Sequence, residues 1–120
     1  MATLAAVPVD QDYIDFISSK MPADPPTGLA SVPELSDQLF PFQKAIVQWA
    51  LKRGRSAIWA DCGLGKTPIQ LEWAKHVPGN VLILAPIAVA AQTVREGVKF
   101  NVPVAYSRDG TENFTPSRTV

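Results

Sequence analysis

Eight residues, Ala60-Asp61-Cys62-Gly63-Leu64-Gly65-Lys66-Thr67, constrain this chain more than any other stretch. Gly63 and Gly65 let the backbone adopt φ values that a side chain forbids, so successive N–H groups can point at one anion. The segment fits the phosphate-loop pattern, with Ala60 standing where the stricter form has its first glycine. Its surroundings fit as well. Ser56–Ala60 is a short apolar run of the kind a buried parallel strand shows, and Thr67–His76 reads as a helix, with Ile69, Leu71, Trp73 and Ala74 as its apolar contacts, before Pro78-Gly79-Asn80 ends it. In this reading Lys66 places its ammonium on the β and γ phosphates of a nucleotide, Thr67 gives its hydroxyl to Mg²⁺, and the helix adds the positive end of its dipole. The nucleotide-binding set is then Asp61, Cys62, Gly63, Leu64, Gly65, Lys66 and Thr67. The simpler reading is a glycine turn with an exposed lysine behind it; the strand before and the helix after favour the nucleotide. Within the loop, Asp61 also suits a polar turn. Cys62 reads as a space-filler, because no base is positioned to make it a nucleophile.

The same alternation continues downstream. Val81-Leu82-Ile83-Leu84-Ala85 is a continuous aliphatic run closed by Pro86, Val89–Phe100 is helical by pattern, and Asn101–Pro103 turns the chain. Val104-Ala105-Tyr106 begins a third extended run before Arg108-Asp109-Gly110. Strand and helix in this order predict an α/β fold, a parallel sheet with right-handed crossovers and helices on its faces. Trp59 and Trp73, inside apolar elements, read as packing residues.

Upstream of the loop, Leu39, Phe42, Ile46, Trp49 and Ala50 recur at spacings of three and four, with Pro41 in the first turn and Gly54 as a stop. Before that helix, Pro22–Pro33 holds four prolines and Gly28 and reads as a linker or extended arm. Asp10–Met21 carries Tyr13, Ile14, Phe16, Ile17 and Met21 on one side of a short helix. The chain thus divides into residues 1–38, a helix with a proline-rich linker, and residues 39–120, the loop-bearing domain.

Eleven basic and eleven acidic side chains cancel, so no long-range field draws the chain toward a polyanion. Lys44, Lys52, Arg53 and Arg55 cluster ahead of the loop and read first as a solvated helix face. One cysteine allows neither an internal disulfide nor a cysteine-based metal site, and no apolar run reaches the length of a membrane span. With Asp10, Asp12 and Asp15 interrupting the start, no secretory leader is expected, and the reading is a cytoplasmic, intracellular protein.

Leu39-Phe40-Pro41-Phe42-Gln43, an amphipathic helix, and then Asp61-Cys62-Gly63-Leu64-Gly65-Lys66-Thr67 resemble the glutamine motif and motif I of Swi/Snf-like, DEAD/DEAH-type superfamily-two helicases and translocases. Val81–Val89, with its Ala85-Pro86 turn, is similar to motif Ia. The resemblance covers about residues 39–105. It implies a RecA-like P-loop NTPase lobe, adenine recognition by the Gln43 amide, ATP and Mg²⁺ as ligands, and a nucleic-acid contact at Pro86 and Ile87. The plainer alternatives are an exposed helical glutamine at 43 and an ordinary strand-to-helix turn at 86.

The family's motif II, an apolar strand ending in Asp-Glu, is absent here, and Asp109 and Glu112 do not replace it. The resemblance therefore implies the N-terminal, ATP-binding portion of a DNA- or RNA-dependent ATPase that alone hydrolyses ATP poorly. A sheet of about three strands would leave open edges and an uncovered face, so oligomerisation, or a partner chain or missing C-terminal part completing the sheet, is expected. The competing class is a small P-loop regulatory or assembly module with no nucleic-acid activity. A compact phosphotransferase would need a second carboxylate motif and an acceptor pocket, and neither is visible.

Overall fold

The computed structural model describes residue 8, residues 10–21 and residues 24–110; Pro22 of the arm and Glu112 lie outside these. Among the described residues the chain forms four α-helices: α1 (Gln11–Lys20), α2 (Pro41–Arg53), α3 (Lys66–His76) and α4 (Ile87–Lys99). Local chemistry sets most of their ends. Asp10 caps α1 by accepting the Asp12 N–H, and Lys20 lies in its last turn, where a cation suits the dipole. Pro41 opens α2 where its missing N–H costs nothing, and Gly54, at φ 83°, closes it. The third helix begins at Lys66, one residue before the expected Thr67. The fourth begins at Ile87 rather than Val89, because Pro86 takes the extended N-cap conformation and its carbonyl accepts the first two amides, from Val89 and Ala90.

No strand forms among the described residues, so the expected α/β fold with a parallel sheet is overturned. Residues 55–61, 80–86 and 102–106 run without helix, but no backbone hydrogen bond joins one of these runs to another. A strand is defined by its lateral partner, and a continuous apolar run specifies extended backbone without specifying that partner. Here the first two runs are mostly exposed, and a groove separates them from α2 and α3. Val81, Leu82 and Ile83 line one groove with Ala50 of α2 and Ile69 and Trp73 of α3, and Leu82 and Leu84 stay 76% and 86% exposed. Trp59, expected to pack, is 95% exposed.

Burial of helix faces holds the fold together. The α3 helix packs on α2 with one flank and is also in contact with α4, which is why residues all round it, Ile69, Leu71, Glu72 and Ala74, are buried. The core cluster joins Leu39, Val47, Leu51 and Ile69, with Ile46, Trp73 and Val77 against it. The buried face of α2 is Gln43, Val47, Ala50 and Leu51, rotated from the expected stripe, so that Phe42 and Trp49 are exposed.

The arm contributes to this core. Leu29, Val32 and Leu35 pack against it, and the N–H groups of Thr27 and Leu29 donate to the carbonyls of Arg53 and Leu51 at 3.0 and 2.7 Å. These are carbonyls at the end of α2, where helical partners run out, so the arm supplies the donors a C-terminus lacks. Gly28 sits so close over them that a Cβ there would collide with the Leu51 oxygen. Farther along the arm, Glu72 of α3, 1% exposed, accepts the Ser36 N–H at 2.9 Å. The same carboxylate oxygen pairs with His76 Nε2 at 2.9 Å, and its second oxygen has no protein partner. At the surface, Asp37 meets Lys44 at 2.9 Å; the hydrogen bond from the ammonium, and then its charge, hold the carboxyl below its ordinary value.

Candidate phosphate-binding site

The loop expected to hold phosphate lies between the 55–61 run and α3, at the surface. Gly63 and Gly65 have φ values of 77° and 74°, the left-handed region that a glycine enters without strain. With Gly65 as N-cap, α3 starts directly at Lys66, so the N–H groups of Lys66 and Thr67 belong to its unpaired first turn. No hydrogen bond engages the N–H groups of residues 63 to 67, whereas that of Cys62 is taken by Asp61 Oδ1 at 2.7 Å. Pro68 follows, and its missing N–H falls where no intrahelical bond is lost. The free donors therefore run from Gly63 to Thr67.

Lys66 folds back over the loop. Its ammonium donates to the carbonyls of Ala60 and Asp61, both at 2.9 Å, which places a positive charge at the loop mouth and closes the backbone around it. Cys62 is exposed rather than space-filling. Thr67 is half-buried beneath the loop. Among the described residues no group of three or more His, Cys, Asp or Glu side chains could hold a metal ion.

Gln43 is the residue whose environment differs most from a surface glutamine. It is 5% exposed, its Oε1 accepts the Phe40 N–H at 2.9 Å, and its Nε2 donates to the Leu64 carbonyl at 3.1 Å. The first bond is half of a capping box, closing the start of α2; Phe40 has no side-chain acceptor with which to complete it. The second ties α2 to the loop. A Cβ at Gly65 would strike the Gln43 amide nitrogen, so glycine is required there by contact as well as by φ. Both ends of the amide are thus engaged within the protein, and adenine recognition by Gln43 would require exchange of these partners.

Beside the loop lies a groove of about 400 Å³ lined by Ala50, Ile58, Ile69, Trp73, Val81 and Ile83, with Lys66 and Gln70 at its polar side. Pro86 and Ile87, the expected nucleic-acid contacts, are exposed at the start of α4, with Gln92 and Arg95 exposed farther along it. Sequence reasoning missed Glu72, whose partner Ser36 is 36 residues away. The Glu72–His76 spacing of four was the only signal of a pair. Compared with protein-family models, with curated proteins and with solved structures, the chain finds no significant match in any of the three.

Proposed function

We propose that residues 61–67 bind the phosphates of ATP, and that the chain is the ATP-binding portion of a nucleic-acid-dependent ATPase similar to Swi/Snf-like helicases and translocases. The observation that carries the first half is the row of unengaged N–H groups from Gly63 to Thr67, running into a helix whose first residue is Lys66. Such an array answers an anion with donors already in place, and the helix dipole adds to it. Lys66, now on two loop carbonyls, swings its ammonium onto the phosphates. Thr67 would give its hydroxyl to a Mg²⁺ bound with the nucleotide, and the ion would offset the phosphate charge. Gln43 keeps the loop in register through Leu64 and reads adenine only on release from it.

Hydrolysis by these 120 residues is slow in this proposal. They contain no apolar run ending in Asp-Glu to hold the ion and orient a water, and the transition-state charge lacks a stabiliser. Nucleic acid would meet the exposed start of α4 at Pro86 and Ile87. The exact balance of eleven acids and eleven bases favours a second reading, a nucleotide-binding regulatory or assembly module without nucleic-acid activity. ATP-dependent, salt-sensitive binding to DNA or RNA would decide for the first. No helix among the described residues is long and apolar enough to cross a membrane. An intracellular site, where ATP is available, follows from the proposal.

The deciding experiment is equilibrium binding of a fluorescent ATP analogue with Mg²⁺ to the wild type and to Lys66→Ala. A charge-assisted hydrogen bond contributes about 1.5–3 kcal/mol, and because Lys66 leaves two loop carbonyls to make it, affinity should fall by up to roughly 100-fold. Equal affinity in two folded proteins, or no binding by either, would refute the proposal.

A further inference from the structure

Among the described residues, α1 packs on no other helix. None of the residues of α1 is buried, and Tyr13, Phe16 and Ile17, at the i, i+3, i+4 spacing of one face, are 60%, 55% and 39% exposed. Elsewhere the groove beside the loop presents apolar walls. The charges of the two surfaces are opposite. Asp10, Asp12 and Asp15 against Lys20 make α1 acidic, while the groove's edge at Gly54 is flanked by the exposed Lys52 and Arg55. Arg53, between them, already holds Asp24.

The connection between helix and groove selects the partner. The arm is fastened to the end of α2 at Thr27 and Leu29, beside the groove. Between Thr27 and the end of α1 stand Pro22, Pro25 and Pro26. Proline fixes its own φ and disfavours the helical region for the residue before it, so Pro25 and Pro26 hold their part of the tether extended, against a turn back toward the chain's own groove. A helix held off by a stiff tether, beside an open groove of opposite charge, is the arrangement that favours exchange between copies.

We propose that the ligand of this groove is α1 of a second copy of the chain. Two chains exchange their first helices reciprocally: Tyr13, Phe16 and Ile17 of each enter the groove of the other, and Asp10 and Asp12 approach Lys52 and Arg55 across it. The contact is isologous and closes at two copies.

The test is the mass in solution of the full 120-residue chain, by sedimentation equilibrium over a concentration series, with a reductant present to keep Cys62 from cross-linking. The wild type should be a dimer that weakens with salt, and Phe16→Asp with Ile17→Asp should be a monomer at the same concentration. Because no residue of α1 is buried among the described residues, that variant should keep the wild-type thermal transition extrapolated to the monomer, which separates lost association from lost folding. Arg55→Glu should weaken the dimer by roughly tenfold or more through like-charge contact, and Asp12→Lys in the same chain should restore it. A monomeric wild type at its highest soluble concentration would overturn the proposal, as would a dimer indifferent to the Phe16 and Ile17 substitutions. So would a monomer whose α1 amides are protected from exchange, the sign of docking within one chain, or a ladder of growing species, the sign of open-ended contact.

Discussion

Glycine at position 65 meets two independent requirements, and their overlap makes a quantitative prediction about Gln43. Alanine at φ 74° is strained by about 1–2 kcal/mol, as any L residue is in the left-handed region. Its Cβ would also strike the Gln43 amide nitrogen and expel the side chain from its two hydrogen bonds, which together stabilise by about 2 kcal/mol. Gly65→Ala should therefore cost about 3.5 kcal/mol. Gln43→Ala removes the same two bonds and should cost about 2 kcal/mol. In the double variant the collision no longer matters, so its cost should match that of Gly65→Ala alone. Simple addition would give about 5.5 kcal/mol, and the difference of about 2 kcal/mol is the coupling energy of the cycle. All three variants can be measured by urea denaturation followed by far-UV circular dichroism, since a domain of this size has about 5–15 kcal/mol in hand. Costs that add to within about 0.5 kcal/mol would show that Gly65 and Gln43 do not touch, and the tether between α2 and the loop would fall with them.

Two further perturbations test the arm. Glu72→Ala leaves the Ser36 N–H and His76 without their acceptor and should destabilise by about 2–3 kcal/mol, with the Ser36 amide losing its protection from hydrogen exchange; protection equal to wild type would refute the contact. Asp37 is held below the ordinary 3.8 by Lys44, so its contribution is complete above that pH and is lost as pH falls through the lower folded value. Lys44→Met should return the carboxyl to its ordinary value in an NMR titration.

The helices were legible because their signals are local. Asp10 before an acidic first turn, Pro41 at the head of α2 and Gly54 at its end each act within a few residues of where they stand. Ser56–Ala60 and Val81–Ala85 misled for the converse reason. Their apolar content records extended backbone and a tendency to be covered, and it says nothing of which segment comes alongside. The exposure of Trp59, Leu82 and Leu84 is the physical trace of that missing information. The inward face of α2 was displaced for a different cause: Gln43, a polar residue, occupies a core position because the loop and the helix start satisfy its amide. A hydrophobic-periodicity argument passes over such a residue by construction.

At the loop, the left-handed turns at Gly63 and Gly65 were readable because they are set by consecutive residues, which are what a sequence displays. Glu72 was not, since its carboxylate serves Ser36 across 36 residues. The role of the proline-rich arm was hidden in the same way. Nothing in Thr27, Gly28 and Leu29 announces that two of their amides complete the end of α2.

The resting position of Lys66 has a consequence for how any anion enters the loop. With Ala60 and Asp61 each giving it a carbonyl oxygen at 2.9 Å, the ammonium is already solvated by the protein. Arrival of a phosphate is then an exchange of one set of oxygens for another, and the lysine's net contribution is the difference between two charge-assisted pairings. Release of the ammonium frees both carbonyls to turn outward, so the loop's backbone should loosen at Ala60 and Asp61 as it tightens from Gly63 to Thr67. The two ends of one short segment would move in opposite senses, with Lys66 as the pivot between them.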